Sequence, residues 1–205
     1  MAPITALAFL LSGLGLWRAS PGRFLGSLGL DAEERSDRLF QGLAALVLVI
    51  ALLSAGSRLF GWRSNLDLLI FEESPGTAVH TSMALGTATT FLLLGMALLM
   101  ARAKRPTGLF QSLALLGALL GWLGFSHYLF GGEPLLPYAQ MAVHTSLLFL
   151  ILTAGILAVR ADIGLAALLT ASTAGGTIAR RLVPDAIFAP MIFGWLRLQG
   201  QYAGW

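Results

Sequence analysis

The chain has 205 residues, of which 57% are hydrophobic and 11% are charged, and its mean hydropathy is +0.79. A soluble domain carries roughly a quarter of its residues as charged side chains, so this composition excludes an ordinary soluble protein and predicts an integral membrane protein. The absence of cysteine excludes disulfides, thiolate metal sites and cysteine-anchored lipid. The net charge of +3 comes mostly from short loops, so no nucleic-acid partner is expected.

Six apolar segments, separated by connections that carry most of the charged residues, predict six membrane-spanning helices, since about 20 apolar residues cross a bilayer as helix. The predicted spans are residues 1–17, 39–60, 80–101, 109–130, 139–159 and 183–198. No Lys or Arg precedes the first apolar segment, which favours a retained span over a signal peptide. Residues 163–181 are rich in Thr, Ser and Gly and are interpreted as an interfacial or re-entrant segment. Pro190 predicts a kink in the last span.

A repeated sequence frame groups these spans into three tandem helical hairpins. The frame M-A-x-x-T-[AS]-x-x-F-L begins at Met1, Met83 and Met141, and residues 40–62 match residues 110–132. Each copy is two helices long, so successive copies should run in the same direction across the membrane. The predicted fold is all-α: a polytopic six-helix transmembrane bundle forming a single domain over residues 1–205. Its hairpins cover about residues 1–61, 80–131 and 139–198.

The distribution of positive charge predicts the orientation. Ten of the 13 Arg and Lys residues lie in or beside the connections that follow the first, third and fifth spans, and two follow the second and fourth. The positive-inside rule places the first group in the cytoplasm, so both termini are predicted on the outer side. Most Trp and Tyr residues then fall near a membrane boundary, but Trp122 does not.

Small and polar side chains on the spans predict how the helices pack. Thr5, Thr87 and Thr145 hold one position of the repeated frame, which favours a structural role in helix contacts. Five glycines are expected at close helix approaches: Gly13, Gly95, Gly117, Gly121 and Gly124. Arg180 and Arg181, beside Gly175 and Gly176, favour contact with anionic lipid headgroups.

Three histidines are the main candidates for a binding site. His80, His127 and His144 are predicted in the outer half, within roughly 10 Å of one another in depth, and ionisable residues inside spans are functional candidates. Together with Thr145 and Tyr128, they are expected to line an outer pocket between the third, fourth and fifth spans, with His144 as its main polar contact. Imidazole also suits haem iron, copper or zinc. A haem or copper site is therefore an alternative, although capping or hydrogen bonding is the more usual role of histidines near helix ends.

Four stretches carry a resemblance to a known family. They are the M-x-x-x-T-A-x-x-F-L-L-x-G frame, LFGWRSNLDLLIF at 59–71, MAVHTSLLF at 141–149 and GGTIARRLVPDAIFAPMIFGWLRLQGQYAGW at 175–205. They resemble the multi-pass N-terminal sensory domain of bacterial sensor histidine kinases and diguanylate cyclases, over nearly the whole chain. The resemblance implies an input domain in the bacterial cytoplasmic membrane, and a homodimer when joined to a kinase or cyclase. The flanking spans and output modules of that family have no counterpart in these residues.

The polar residues do not favour an enzyme or a transporter. No Ser-His-Asp, paired-carboxylate or HExxH pattern occurs, so kinase or cyclase activity is expected only in modules outside this chain. The repeats share one orientation, whereas transporters commonly have inverted repeats. Two functions remain: a sensory domain that binds a small or membrane-borne signal, and a non-catalytic accessory subunit packed against other membrane subunits. A longer reading frame leading into a kinase or cyclase would favour the first.

Overall fold

The computed structural model describes residues 2–19, 29–60, 83–102, 107–130 and 141–203, with only the backbone described for 29–36. All regular structure in these ranges is helical, which confirms the all-α prediction. The helices are α1 (Pro3–Ala19), α2 (Gly29–Phe60), α3 (Leu85–Ala101), α4 (Thr107–Phe130), α5 (Val143–Val159), α6 (Gly164–Thr170) and α7 (Ala174–Tyr202).

Two of these helices are long and apolar enough to cross a membrane, namely Asp37–Phe60 within α2 and the whole of α4. α5 and α6 meet the same criterion only as a pair, and they are bent by 86° at their junction. α1 and α3 are apolar but have 17 residues each, about 25 Å of helix. Length and composition thus support two spans, or three with the bent pair, and the six-span bundle stays a prediction.

The centre of the bundle is formed by α1, α3 and α5, which meet through the phenylalanine of the repeated frame. The rings of Phe9, Phe91 and Phe149 lie with their centroids 4.7 to 4.8 Å apart in all three pairs. Phe91 and Phe149 are fully buried. Edge and tilted contacts of this kind add stability beyond the buried area. The three copies of the sequence frame therefore pack against one another at the same residue.

The contacts beyond this ring cluster show that α1, α3 and α5 run in the same direction. At their C-terminal ends, Arg102 donates to the Ala19 carbonyl oxygen at 3.0 Å, which joins the end of α3 to the end of α1. Leu16 packs against Gly155, so the C-terminal halves of α1 and α5 also meet. The three helices thus meet both near their midpoints and in their C-terminal halves. They are therefore parallel, as the repeat predicts.

α2 and α4 run the opposite way and fill the grooves between the parallel helices. Leu48 of α2 packs on Gly95 of α3, while Phe40, at the start of the apolar part of α2, lies near Gly15 in the C-terminal part of α1. α4 passes α3 and α5 through Gly117, Gly121 and Gly124, which are all buried. The predicted close approaches at these glycines and at Gly95 are confirmed. The prediction for Gly13 is wrong within the described part of the chain, where no neighbouring atom lies within 4 Å of its Cβ position.

The second helix begins earlier than predicted. Its backbone is helical from Gly29, ten residues before the expected start at residue 39. The added segment, GLDAEERSDR, contains Ala, Glu and Arg, which favour helix. Acidic residues near a helix N-terminus are further stabilised by the helix dipole. The expected span began at the first apolar residues, but the helix itself begins earlier, in the polar residues that precede them.

The C-terminal region also differs from its predicted boundaries. Residues 163–181 contain α6, a short connection and the first part of α7, so the last helix begins at Ala174 instead of residue 183. Thr173 caps α7 by accepting a hydrogen bond from the Gly176 amide at 3.3 Å. The polar residues that were taken to interrupt helical structure therefore include the cap that starts it. Both prolines, Pro184 and Pro190, lie within α7.

Candidate functional site

His127, near the C-terminal end of α4, has a buried ring nitrogen without a partner. Its Nδ1 is shielded from solvent and makes no hydrogen bond. The His127 ring meets the Tyr128 ring edge-on, with centroids 5.2 Å apart. A buried polar atom without a partner is unfavourable and calls for an explanation. This nitrogen is therefore a buried polar atom of the region whose hydrogen bonding the described residues leave unsatisfied.

Tyr128 has a structural bond in the same region. Its hydroxyl donates to the Met141 carbonyl oxygen at 2.7 Å, joining the end of α4 to the residues before α5. Gly124, one turn earlier, allows this approach, because a Cβ atom there would lie 2.7 Å from the Ser146 Oγ. The Tyr128 side chain is nevertheless 49% exposed. Its hydroxyl holds the seam between α4 and α5, while much of its ring stays accessible.

His144 and Thr145 are adjacent in sequence but point in different directions. Thr145 is buried on the face of α5 that carries Phe149, one turn away. His144 is exposed, as expected from the roughly 100° rotation between successive residues of an α-helix. The two side chains therefore do not share one interior surface. His80 lies outside the described residues, and the binding roles of all five predicted residues stay predictions.

The buried threonines of the repeated frame form a polar layer near the N-terminal ends of α1, α3 and α5. Thr5, Thr87 and Thr145 are 3 to 4% exposed. Each precedes its ring-cluster phenylalanine by four residues, which is one helical turn on the same face. Their burial fits the structural role predicted for them. The same end of the bundle carries His127, Tyr128 and His144.

In the part of the chain that the structure describes, no three His, Asp or Glu side chains lie close enough together to bind a metal ion. His127 and His144 differ in burial, and His80 lies outside the described ranges. The haem or copper alternative therefore has no support beyond the histidines themselves.

Sequence reasoning missed an apolar cleft between α4 and α7. It has a volume of about 450 Å³ and is lined by Leu115, Ala118, Leu119, Trp122, Phe130, Leu150, Ala186, Ile187, Pro190 and Met191. A smaller cleft of about 200 Å³ continues past Phe130 to Trp195. The available signal was Trp122, which did not fit the boundary position expected for Trp and Tyr residues. Trp122 lines this cleft together with other mostly apolar side chains.

Comparisons with protein-family models, with curated proteins and with solved structures find no match to this chain. The resemblance to bacterial sensory domains therefore stays a prediction, and the functional argument depends on the site itself.

Proposed function

We propose that this chain is a sensory input domain of the bacterial cytoplasmic membrane, which binds a small or membrane-borne signal at the end of the bundle that holds the N-termini of α1, α3 and α5. One observation carries the proposal: the His127 Nδ1 is buried without a hydrogen-bond partner. Leaving such an atom unpaired costs about 1 to 3 kcal/mol. A ligand that supplies the missing partner recovers this free energy, so the site favours a molecule with one polar group on an otherwise apolar body.

The position of His127 connects binding to helix packing. It adjoins Tyr128, whose hydroxyl joins α4 to the start of α5. A molecule bound at His127 would therefore act next to the seam between these two helices. It transmits a signal only if it binds one arrangement of the seam more tightly than another. His144, exposed at the same end of α5, is a second contact for a signal that approaches from outside the bundle.

The membrane topology is part of the proposal. The apolar composition and the long helices α2 and α4 support a bilayer location, and the charge distribution orients the signal-binding end outward. Six spans place both termini outside. A tag fused to Trp205 should then be removed by protease added to intact cells. Protection of the tag, with digestion after lysis, would contradict the orientation and leave the His127 site unaffected.

The binding proposal is tested by what co-purifies with the protein. The full chain is extracted with its native lipids, and bound molecules are quantified by mass spectrometry for wild type, His127→Leu and His144→Gln. Because one hydrogen bond is lost, we expect His127→Leu to lower the retained ligand about tenfold. Tyr202→Phe, a change at a 78% exposed residue of α7, is the matched control and should retain it.

Equal ligand content in wild type and His127→Leu would contradict the site at His127. Loss of the ligand from His144→Gln alone would move the site to the outer surface of α5. An absorption spectrum and metal analysis of the same samples test the haem or copper alternative. A Soret band in the wild type would identify the bound group as haem, and its loss in His127→Leu would identify His127 as the residue that holds it.

An accessory subunit of a larger membrane complex is the second candidate, and the exposed surface of α7 favours it. Phe188, Phe193, Trp195 and Leu196 are between 51 and 71% exposed in the isolated chain. These side chains face either lipid or another membrane subunit. Purification in a mild detergent separates the two cases, since a stable complex with other membrane proteins, lost on replacing Phe193 and Leu196 with Ala, supports the subunit role. As a sensory domain of a kinase or cyclase, the protein would instead form a homodimer.

A further inference from the structure

The end of the bundle opposite His127 contains two related arginine sites. Arg102 follows α3 and Arg160 follows α5, and each lies 19 residues after the Met that begins its copy of the repeated frame. The Arg102 guanidinium lies 5.7 Å from the centre of the Phe40 ring, and that of Arg160 lies 5.4 Å from the centre of the Phe110 ring. Phe40 and Phe110 are equivalent residues of the second repeat. The two copies therefore build the same cation–π contact.

The first of these sites is complete. Arg102 forms an ion pair with Asp37, which lies three residues before Phe40. It also donates to the carbonyl oxygens of Ala19 at 3.0 Å and Arg18 at 3.4 Å. The guanidinium thus has an aromatic surface, two neutral acceptors and one negative charge. The charge of this partly buried cation is therefore balanced within the protein.

The second site lacks the negative charge. The residue three before Phe110 is Thr107, which stands where Asp37 stands in the first copy. The Arg160 Nη1 is buried and has no hydrogen-bond partner. The nearest acidic residue in sequence, Asp162, is exposed, and no ion pair joins it to Arg160 in the described structure. A shielded guanidinium nitrogen without an acceptor is strongly unfavourable, so the site is incomplete as it stands.

We propose that Arg160, with Thr107 and the Phe110 ring, binds the phosphate group of an anion, which supplies the charge that Asp37 supplies to Arg102. The planar guanidinium matches phosphate oxygens with paired hydrogen bonds, and the Thr107 hydroxyl adds a donor. The neighbouring Gln111 amide is already used, since it donates to the Ile163 carbonyl oxygen at 3.3 Å. The phosphate comes either from an anionic lipid headgroup or from a soluble phosphate compound. The first source depends on the proposed membrane location, whereas the arginine site itself does not.

The experiment measures thermal unfolding of the full chain in a neutral detergent by tryptophan fluorescence. Three probes are titrated separately: phosphatidylglycerol, inorganic phosphate and zwitterionic phosphatidylcholine. At a hundredfold excess over the dissociation constant, a ligand of the folded state should raise the wild-type midpoint by about 5 °C. A response to phosphatidylglycerol alone identifies a headgroup site. A response to inorganic phosphate as well identifies a site for soluble phosphate.

Two variants test Arg160 from opposite directions. Arg160→Gln removes the cation and should weaken the anion response at least about tenfold. Thr107→Asp recreates the Asp37 arrangement, so it should raise the midpoint without ligand and abolish the anion response. Arg181→Gln removes an exposed positive charge from the same end of the molecule and should keep most of the response. If Arg160→Gln does not fold, Thr107→Asp decides alone, because it adds a partner and removes none.

The reciprocal change gives an independent check on the equivalence of the two sites. Asp37→Thr leaves Arg102 in the condition of Arg160, and it should therefore create a second anion response while lowering the midpoint in the absence of anions. Equal responses of wild type, Arg160→Gln and Thr107→Asp to both anions would overturn the proposal. The lack of any response in wild type would overturn it as well. Neither result would bear on ligand binding at His127, which lies at the other end of the bundle.

Discussion

The bundle of α1 to α5 and the C-terminal pair of α6 and α7 are held in place by different means. The bundle has a continuous buried core, with the frame phenylalanines at its centre. In contrast, α6 has no buried residue, and α7 buries only Gly176. Repeated apolar and small residues therefore specify the bundle. The C-terminal pair is positioned by the Thr173 cap, by the hydrogen bond from Gln111 to the Ile163 carbonyl oxygen and by the apolar side chains of α4 that line the clefts.

The difference has a consequence for dynamics. An element with few buried contacts opens at a lower free energy than a packed core. α7 lies along α4 through Phe130 and Trp122, so the pair is expected to separate from the bundle before the bundle itself unfolds. A change in the packing of α4 near Phe130 or Trp122 would therefore be felt by α7 through these contacts.

The largest expected effect is in the ring cluster. Phe91→Ala removes a fully buried ring and should lower the free energy of unfolding by about 3 to 5 kcal/mol, because the surrounding helices cannot close the cavity. Phe193→Ala is the matched change in α7, where the ring is 71% exposed, and should cost less than about 0.5 kcal/mol. Unfolding by sodium dodecyl sulfate in mixed micelles measures both. Similar losses for the two variants would abolish the distinction between the regions.

A smaller effect is expected where α6 meets α7. A Cβ atom at Gly176 would collide with the Ala171 carbonyl oxygen, whereas one at Gly175 would meet only ordinary contacts at 3.9 Å. Gly176→Ala should therefore destabilise the start of α7 by about 1 to 3 kcal/mol, and Gly175→Ala should be tolerated. Hydrogen exchange of the first turns of α7 reports the local loss. Unchanged protection in Gly176→Ala would show that the cap region is not packed as described.

The smallest effect concerns a single hydrogen bond of the bundle. Tyr128→Phe removes the bond to the Met141 carbonyl oxygen and should cost about 1 kcal/mol. Tyr202→Phe changes the 78% exposed tyrosine of α7 and should be neutral. Thermal unfolding in one detergent compares the two variants. If the Tyr202 change were the more harmful, the end of α7 would have a partner beyond the described contacts.

The repeated residues explain why much of the bundle was predictable. Phe9, Phe91 and Phe149 recur in one register, and a recurring residue on parallel helices meets itself at a shared axis. The helix boundaries at Gly29 and Ala174 were less accessible, because polar residues end a predicted span but do not end a helix. They can equally well cap or extend it.

Residue spacing placed His127 and His144 at one end of the bundle, but it did not give the direction of their side chains about the helix axes. His144 and Thr145 were assigned to one pocket, yet neighbours on a helix are separated by roughly 100°, and only Thr145 faces the core. The buried nitrogen of His127 depends on side-chain packing, which residue spacing does not give. By contrast, the difference between the two arginine sites was present in the sequence as Asp37 and Thr107. The meaning of this difference became clear only from the structure, in which Arg102 lies over Phe40 and Arg160 lies over Phe110.

The parallel direction of α1, α3 and α5 places the threonine layer at one end of the bundle together with His127. The chain contains no cysteine, so pairs of introduced cysteines report helix direction without background. Leu16 lies against Gly155, with its Cγ 3.9 Å from the Cβ position of that glycine. Oxidation should therefore join Leu16→Cys to Gly155→Cys within one chain and should not join Leu16→Cys to Thr145→Cys, about 15 Å further along α5. The opposite result would show that α1 and α5 are antiparallel and would contradict the account.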